Sequence, residues 1–121
     1  KKALSVDGTH IWVALESDEI VGYLKVGKNT LPCDPPRPEA FEISRLYLAP
    51  QQHGTGLAQR LMEMGFDYAR GLGFREVTLS VFSENPRAQR FYARLGFQKI
   101  GTYDYYVGDH IDLEWILLKT L

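Results

Sequence analysis

The stretch Leu46-Tyr47-Leu48-Ala49-Pro50-Gln51-Gln52-His53-Gly54-Thr55-Gly56-Leu57-Ala58 (LYLAPQQHGTGLA) is the pivot of this sequence. An apolar strand end, Leu46 to Leu48, runs into a turn from Ala49 to Gly54. From Gly56 to about Arg70 the apolar spacing is helical: Leu57, Leu61, Met64 and Tyr68 recur at steps of three and four, as do Ala58, Met62, Phe66 and Ala69. The first turn of a helix leaves backbone N–H groups unpaired, and the aligned peptide dipoles add partial positive charge there. Such an end suits a phosphate. Gly54 and Gly56 allow positive φ and close approach of the backbone to a ligand. Gly-x-Gly also opens helices in many α/β proteins for packing alone, so both roles stay open on geometry. A P-loop is excluded because no Gly-Lys-Ser/Thr follows. A Rossmann fingerprint is excluded because the third glycine is missing and no acidic residue ends the next strand.

Working outward, His10 to Glu16 and Ile20 to Val26 read as two strands joined by the polar turn Ser17-Asp18-Glu19. Residues 27–40 hold four of the six prolines and form a long loop. Phe41 to Leu48 reads as a strand in strict alternation, with Phe41, Ile43 and Arg45 on one face and Glu42, Ser44 and Leu46 on the other. Gly71 and Gly73 stop the helix, and Glu76 to Phe82 is the next strand. Asn85 is a candidate N-cap with Pro86 at the first helical position, so Arg87 to Leu95 forms a short helix closed by Gly96. Phe97 to Val107 and His110 to Lys119 are a final strand pair turning at Gly108-Asp109. This order predicts a mixed α/β fold: a central mixed, mostly antiparallel sheet with flanking helices.

The 121 residues predict one domain. Apolar residues make up 45% and charged residues 24%, the balance of a globular chain. No apolar run approaches the about 20 residues of a membrane-spanning helix. A net charge of −1 gives no general drive toward nucleic acid or an anionic membrane. The single cysteine, Cys33, allows no intrachain disulfide, which fits a cytoplasmic protein; it reads as inert rather than nucleophilic. His10, His53 and His110 lack ligand spacing, so no metal site is expected.

The pivotal segment resembles the signature of the GCN5-related N-acetyltransferases (GNAT), Gln/Arg-x-x-Gly-x-Gly/Ala after a strand that ends in a Leu-Tyr-Val-like triplet and a proline. Asn85 to Phe97 (NPRAQRFYARLGF) resembles the same family's Asn-x-x-Ala-x-x-Phe-Tyr-x-x-x-Gly-Phe helix. The resemblance covers residues 10–121. It implies a GNAT-like fold that uses acetyl-CoA as cosubstrate. The backbone amides of Leu46, Tyr47 and Leu48 would hold the pantetheine and acetyl carbonyl, with the Leu48 N–H as oxyanion donor. Those of Gly54, Thr55, Gly56, Leu57, Ala58 and Gln59 would hold the pyrophosphate. The family's Gln/Arg falls on His53, which donates to phosphate when protonated and is otherwise a solvated loop residue. Asn85 would touch the pantetheine arm besides capping its helix. Tyr92 would be the acid at the thioester sulfur, where the residues alone also allow a core aromatic. Glu42 would be the base, acting through water, where they also allow a solvated or ion-paired strand residue.

The tail, Gly101 to Asp109 and Lys119 to Leu121, resembles the bacterial PaiA-type polyamine acetyltransferases, which implies spermidine or spermine as acceptor. Tyr103, Tyr105 and Tyr106 with Asp104 and Asp109 would cradle a polycation, or else form an aromatic sheet face with turn aspartates. Other readings are an acetyltransferase for another small amine or a protein N-terminus, and a non-catalytic acetyl-CoA-binding regulatory module. A homodimer is one expected partner state. Similar domains begin with a strand and helices before the first hairpin. These are expected to be absent here, with Lys1 to Asp7 continuing from a helix and the first sheet edge open.

Overall fold

The computed structural model describes residues 2–6 and 9–121, with side chains from Thr9 onward. Its elements are β1 (Lys2–Val6), β2 (Thr9–Glu16), β3 (Glu19–Lys28), β4 (Phe41–Leu48), α1 (Leu57–Gly71), β5 (Glu76–Phe82), α2 (Pro86–Arg94), β6 (Gln98–Val107) and β7 (His110–Thr120). They build one sheet in the order β1-β2-β3-β4-β5-β7-β6. Among the described residues only β4 and β5 are parallel, and α1 makes the crossover between them. The mixed, mostly antiparallel α/β fold expected from the sequence is therefore the one observed. No helix among the described residues is long and apolar enough to cross a membrane.

Two expectations are corrected. The first is the strand expected to be absent before the first hairpin: residues 2–6 form one, and it pairs antiparallel with β2 along the edge expected to be open. Lys1 and Asp7, the ends of the segment expected to continue from a helix, lie outside the described residues. The second correction concerns β4. Its register shifts between the Val26–Ile43 and Lys25–Arg45 pairs, so Ser44 is an extra residue, a β-bulge. One extra residue inverts the phase of everything after it. Phe41 and Ile43 face α1, but Arg45 turns away, and Leu46 joins the core side opposite Leu24.

Both helices pack on one face of the sheet. Leu24, Val26, Leu61, Met62 and Val77 are completely buried between them and the strands. The approach is tight at Gly65, where a Cβ would stand 2.9 Å from Leu24 Cδ2. At the far end of α2, Lys119 Nζ donates to Leu95 O at 2.7 Å and sits over the Phe66 ring, so α2 shares the face of α1. The opposite face is partly covered by the proline-rich loop. Thr78 Oγ1 donates to Asn29 Oδ1 at 2.9 Å, and Arg37 pairs with Glu76 at 2.8 Å. Farther along the same face, Ser80, Tyr103 and Glu114 are part-exposed.

Candidate active site

The parallel ladder between β4 and β5 contains only the Phe41–Val77 and Glu42–Thr78 pairs. Beyond it the strands splay, and β4 turns an open edge toward the gap. The Ala49 N–H donates to Val21 O at 2.8 Å, and Tyr47 lies opposite Tyr23 two residues earlier. In an antiparallel ladder, alternate residues give their N–H groups to the same neighbour. Ala49 and Tyr47 thus serve β3, while Leu46 and Leu48 aim their amides into the gap.

A cavity of about 700 Å³ occupies the helix side of this gap. Leu46 and Leu48 form one wall, the turn from Gln52 to Gly56 with Ala58 and Gln59 a second, and α2 a third. The N-cap of α1 is Gly56 at φ +84°, a left-handed conformation that favours glycine, and no side chain caps the helix. Thr55 N–H is taken by Gln52 O at 3.2 Å, and Leu57 N–H by Thr55 Oγ1 at 3.4 Å. The amides of Gly54, Gly56, Ala58 and Gln59 have no hydrogen-bond partner among the described residues. They are the orphan donors that a capping side chain or an anion would satisfy.

On α2, Asn85 Oδ1 accepts from Ala88 N–H at 3.2 Å and also lines the cavity, so capping and ligand contact coexist at one residue. Tyr92 lines it as well, its ring edge-on to Phe91 at 5.3 Å and to Phe97 at 5.8 Å. Burial pushes its phenol above the ordinary tyrosine value, so it stays a proton donor at neutral pH. Residues 2–97 match the model of the Acetyltransferase (GNAT) family.

The chain belongs to the GNAT family. It is 41% identical over 80 residues to an uncharacterized N-acetyltransferase of Mycobacterium tuberculosis (strain ATCC 25618 / H37Rv), covering 66% of this chain and 51% of that protein. It is 31% identical over 119 residues to the uncharacterized N-acetyltransferase YjgM of Escherichia coli (strain K12), covering 97% of this chain and 67% of that one. Its fold is similar to the crystal structure of Arabidopsis thaliana NAA60 in complex with a bisubstrate analogue, at a TM-score of 0.82 and 17% identity over 96% of this chain and 78% of that chain. The chain spans about half the length of the first curated relatives it matches. GNAT proteins use acetyl-CoA as cosubstrate. The residues here fit that group: unpaired amides at a helix opening for the diphosphate, two amides on an open strand edge for the pantetheine, and a cavity joining them.

The structure separates the remaining GNAT positions read from the sequence. His53 lines the cavity beside the free amides. Tyr47 does not; its ring leans on Tyr23 at 5.5 Å on the other side of β4. Glu42 also lies across the sheet, buried, with Oε1 accepting from Thr30 N–H and Thr30 Oγ1, each at 2.7 Å. Tyr103 and Tyr105 stand on that face opposite Glu114 and Asp112, whereas Asp104 and Tyr106 alternate to the other side. Burial, with the charge of Asp112 adding, holds the Glu114 carboxyl above its ordinary value, and the Ser80 hydroxyl partly offsets this. The residues of the expected cradle therefore divide between the two faces, and the carboxylates beside Tyr103 and Tyr105 belong to Glu114 and Asp112. Sequence reading missed them because strand pairing, not proximity along the chain, sets them opposite the tyrosines. It also missed Arg87 and Arg94, which line the cavity. Their seven-residue spacing on α2 is the signal that would have found them.

Proposed function

We propose that this chain transfers the acetyl group of acetyl-CoA to the nitrogen of a cationic amine. The observation that carries the reading is the splay between β4 and β5. It opens on the helix side to a cavity lined with free amides and the Tyr92 phenol, and on the other side to a face bearing carboxylates. Bound acetyl-CoA supplies a thioester already activated toward an amine. The amides of Gly54, Gly56, Ala58 and Gln59 hold the diphosphate, and those of Leu46 and Leu48 fix the pantetheine and the acetyl carbonyl. The Leu48 N–H donates to the carbonyl oxygen as negative charge develops there. Tyr92 Oη gives its proton to the departing sulfur. Glu42 receives the amine proton through water; among the described residues its Oε2 has no hydrogen-bond partner.

For the acceptor we favour a polyamine such as spermidine or spermine. Asp112 and Glu114 share a face of β7 two residues apart, which separates them by about 7 Å. Two carboxylates at that spacing, flanked by Tyr103 and Tyr105, suit a flexible chain with more than one ammonium group. A bound cation would relieve the repulsion that Asp112 exerts on Glu114. The test is release of free thiol from acetyl-CoA, followed with a thiol-reactive dye, with spermidine, a monoamine or a short peptide as acceptor. Turnover is expected with spermidine above the others. Turnover on the peptide alone would replace the acceptor with a protein N-terminus. Cofactor binding without turnover on any amine would make the chain a regulatory acetyl-CoA-binding module.

A further inference from the structure

The cavity wall carries more positive charge than a diphosphate needs. Arg87 and Arg94 line it from α2, separated by two helical turns and so on one face, about 10 Å apart along the axis. Arg60 reaches back from α1, its Nη1 only 3.6 Å from where a Cβ on Gly56 would lie. None of the three has an acidic partner among the described residues, whereas Arg37 and Arg70 both do. Among the described residues, no Asp or Glu lines the cavity. The charge is therefore segregated, because the chain as a whole carries −1 and the opposite sheet face gathers the carboxylates. The free amides at the start of α1 already provide donors for two phosphate groups, so these guanidinium groups are surplus to the diphosphate.

We infer that Arg60, Arg87 and Arg94 form a subsite for a third phosphate, the 3′-phosphate monoester of coenzyme A, and make the chain select coenzyme A over its 3′-dephospho form. The inference rests on the proposed cofactor reading and extends it to a part of the ligand that the amides do not reach. A phosphate monoester carries close to two negative charges near neutral pH and presents three acceptor oxygens. Planar guanidinium groups match that geometry with paired N–H donors. All three arginines are exposed on their helices, so the subsite is a rim at the mouth of the cavity and its strength is salt-dependent.

The experiment is calorimetric titration of the chain with coenzyme A and with 3′-dephospho-coenzyme A, at low and high salt. Coenzyme A is expected to bind about tenfold or more tighter at low salt, the worth of one or two charge-assisted hydrogen bonds. That ratio should shrink as salt rises. In an Arg87→Gln/Arg94→Gln double variant it should fall to about one to three, with dephospho-coenzyme A affinity held within about twofold. Equal affinity of the parent chain for both ligands overturns the subsite but leaves the cofactor reading intact. Binding of neither ligand removes the cofactor reading itself. An equal weakening of both ligands in the variant also overturns the subsite, because the arginines would then serve the diphosphate. Should the double variant fail to fold, the parent ratio and its salt dependence still decide.

Discussion

At the scale of a single residue, Tyr92 is the proposed acid. Its ring is fixed between Phe91 and Phe97, and its hydroxyl makes no hydrogen bond among the described residues. Tyr92→Phe therefore removes a proton donor and little else. It should lower kcat by about 10²- to 10⁴-fold, the usual worth of a positioned acid, while coenzyme A affinity by calorimetry stays close to that of the parent. Unchanged kcat would show that the sulfur leaves without it. Because burial raises the phenol's pKa, no loss of activity through Tyr92 is expected up to its ordinary value of 10.0. Glu114 couples function to stability in the opposite sense. Its folded pKa lies above the ordinary 4.5, so the protonated form is the one that favours folding. That contribution is complete below the ordinary value and is lost as pH rises through the folded one. At pH 7 the ionised carboxylate is thus held at a cost, and Glu114→Gln should raise the thermal midpoint. The gain over the parent should vanish below about pH 4. The same variant should raise KM for spermidine by about five- to tenfold. A lower midpoint at pH 7 would refute the stability argument, and an unchanged KM the acceptor assignment.

At the scale of elements, the opening of α1 depends on backbone conformation more than on side chains. Gly56 holds φ +84° as the N-cap, and an alanine there meets the left-handed penalty of about 1–2 kcal/mol. Gly56→Ala should lower stability by that amount in urea melts and weaken coenzyme A binding, because relaxing φ rotates the free amides. An unchanged melt with unchanged affinity would mean that the turn tolerates a Cβ. Asn85→Ala should cost about 1 kcal/mol through loss of its bond to the Ala88 N–H. Both positions were legible in the sequence, since glycine before a helical repeat and Asn-Pro at a helix start are local signals. The periodic elements were legible for the same reason. The bulge at Ser44 was not, because FEISRLYL alternates well enough to conceal one extra residue. Its effect is large: it returns Leu46 and Leu48 to the helix side, where they wall the cavity, and leaves Arg45 and Tyr47 outside. The pairings of Tyr103 with Glu114 and of Tyr105 with Asp112 were equally hidden, since they depend on the register of a hairpin.

At the scale of the whole molecule, the sheet separates the two proposed substrates. In the proposed arrangement the nucleotide approaches from the side of α1 and α2 and the amine from the opposite face, and they meet only where β4 leaves β5. Neither blocks the entry of the other, so the arrangement favours direct transfer within a ternary complex. A relay through a covalent acetyl-enzyme would need a nucleophile in the gap. Cys33 is the chain's one thiol, and it is buried within the proline-rich loop beside Asn29, 3.5 Å from its Nδ2, and does not line the cavity. Initial rates measured against acetyl-CoA at several spermidine concentrations should give intersecting double-reciprocal lines rather than the parallel lines of a ping-pong scheme. Incubation with acetyl-CoA alone should leave the intact mass of the chain unchanged. Parallel lines, together with a stable acetyl adduct in the absence of amine, would place a nucleophile within reach of the thioester and defeat the division of labour between the two faces.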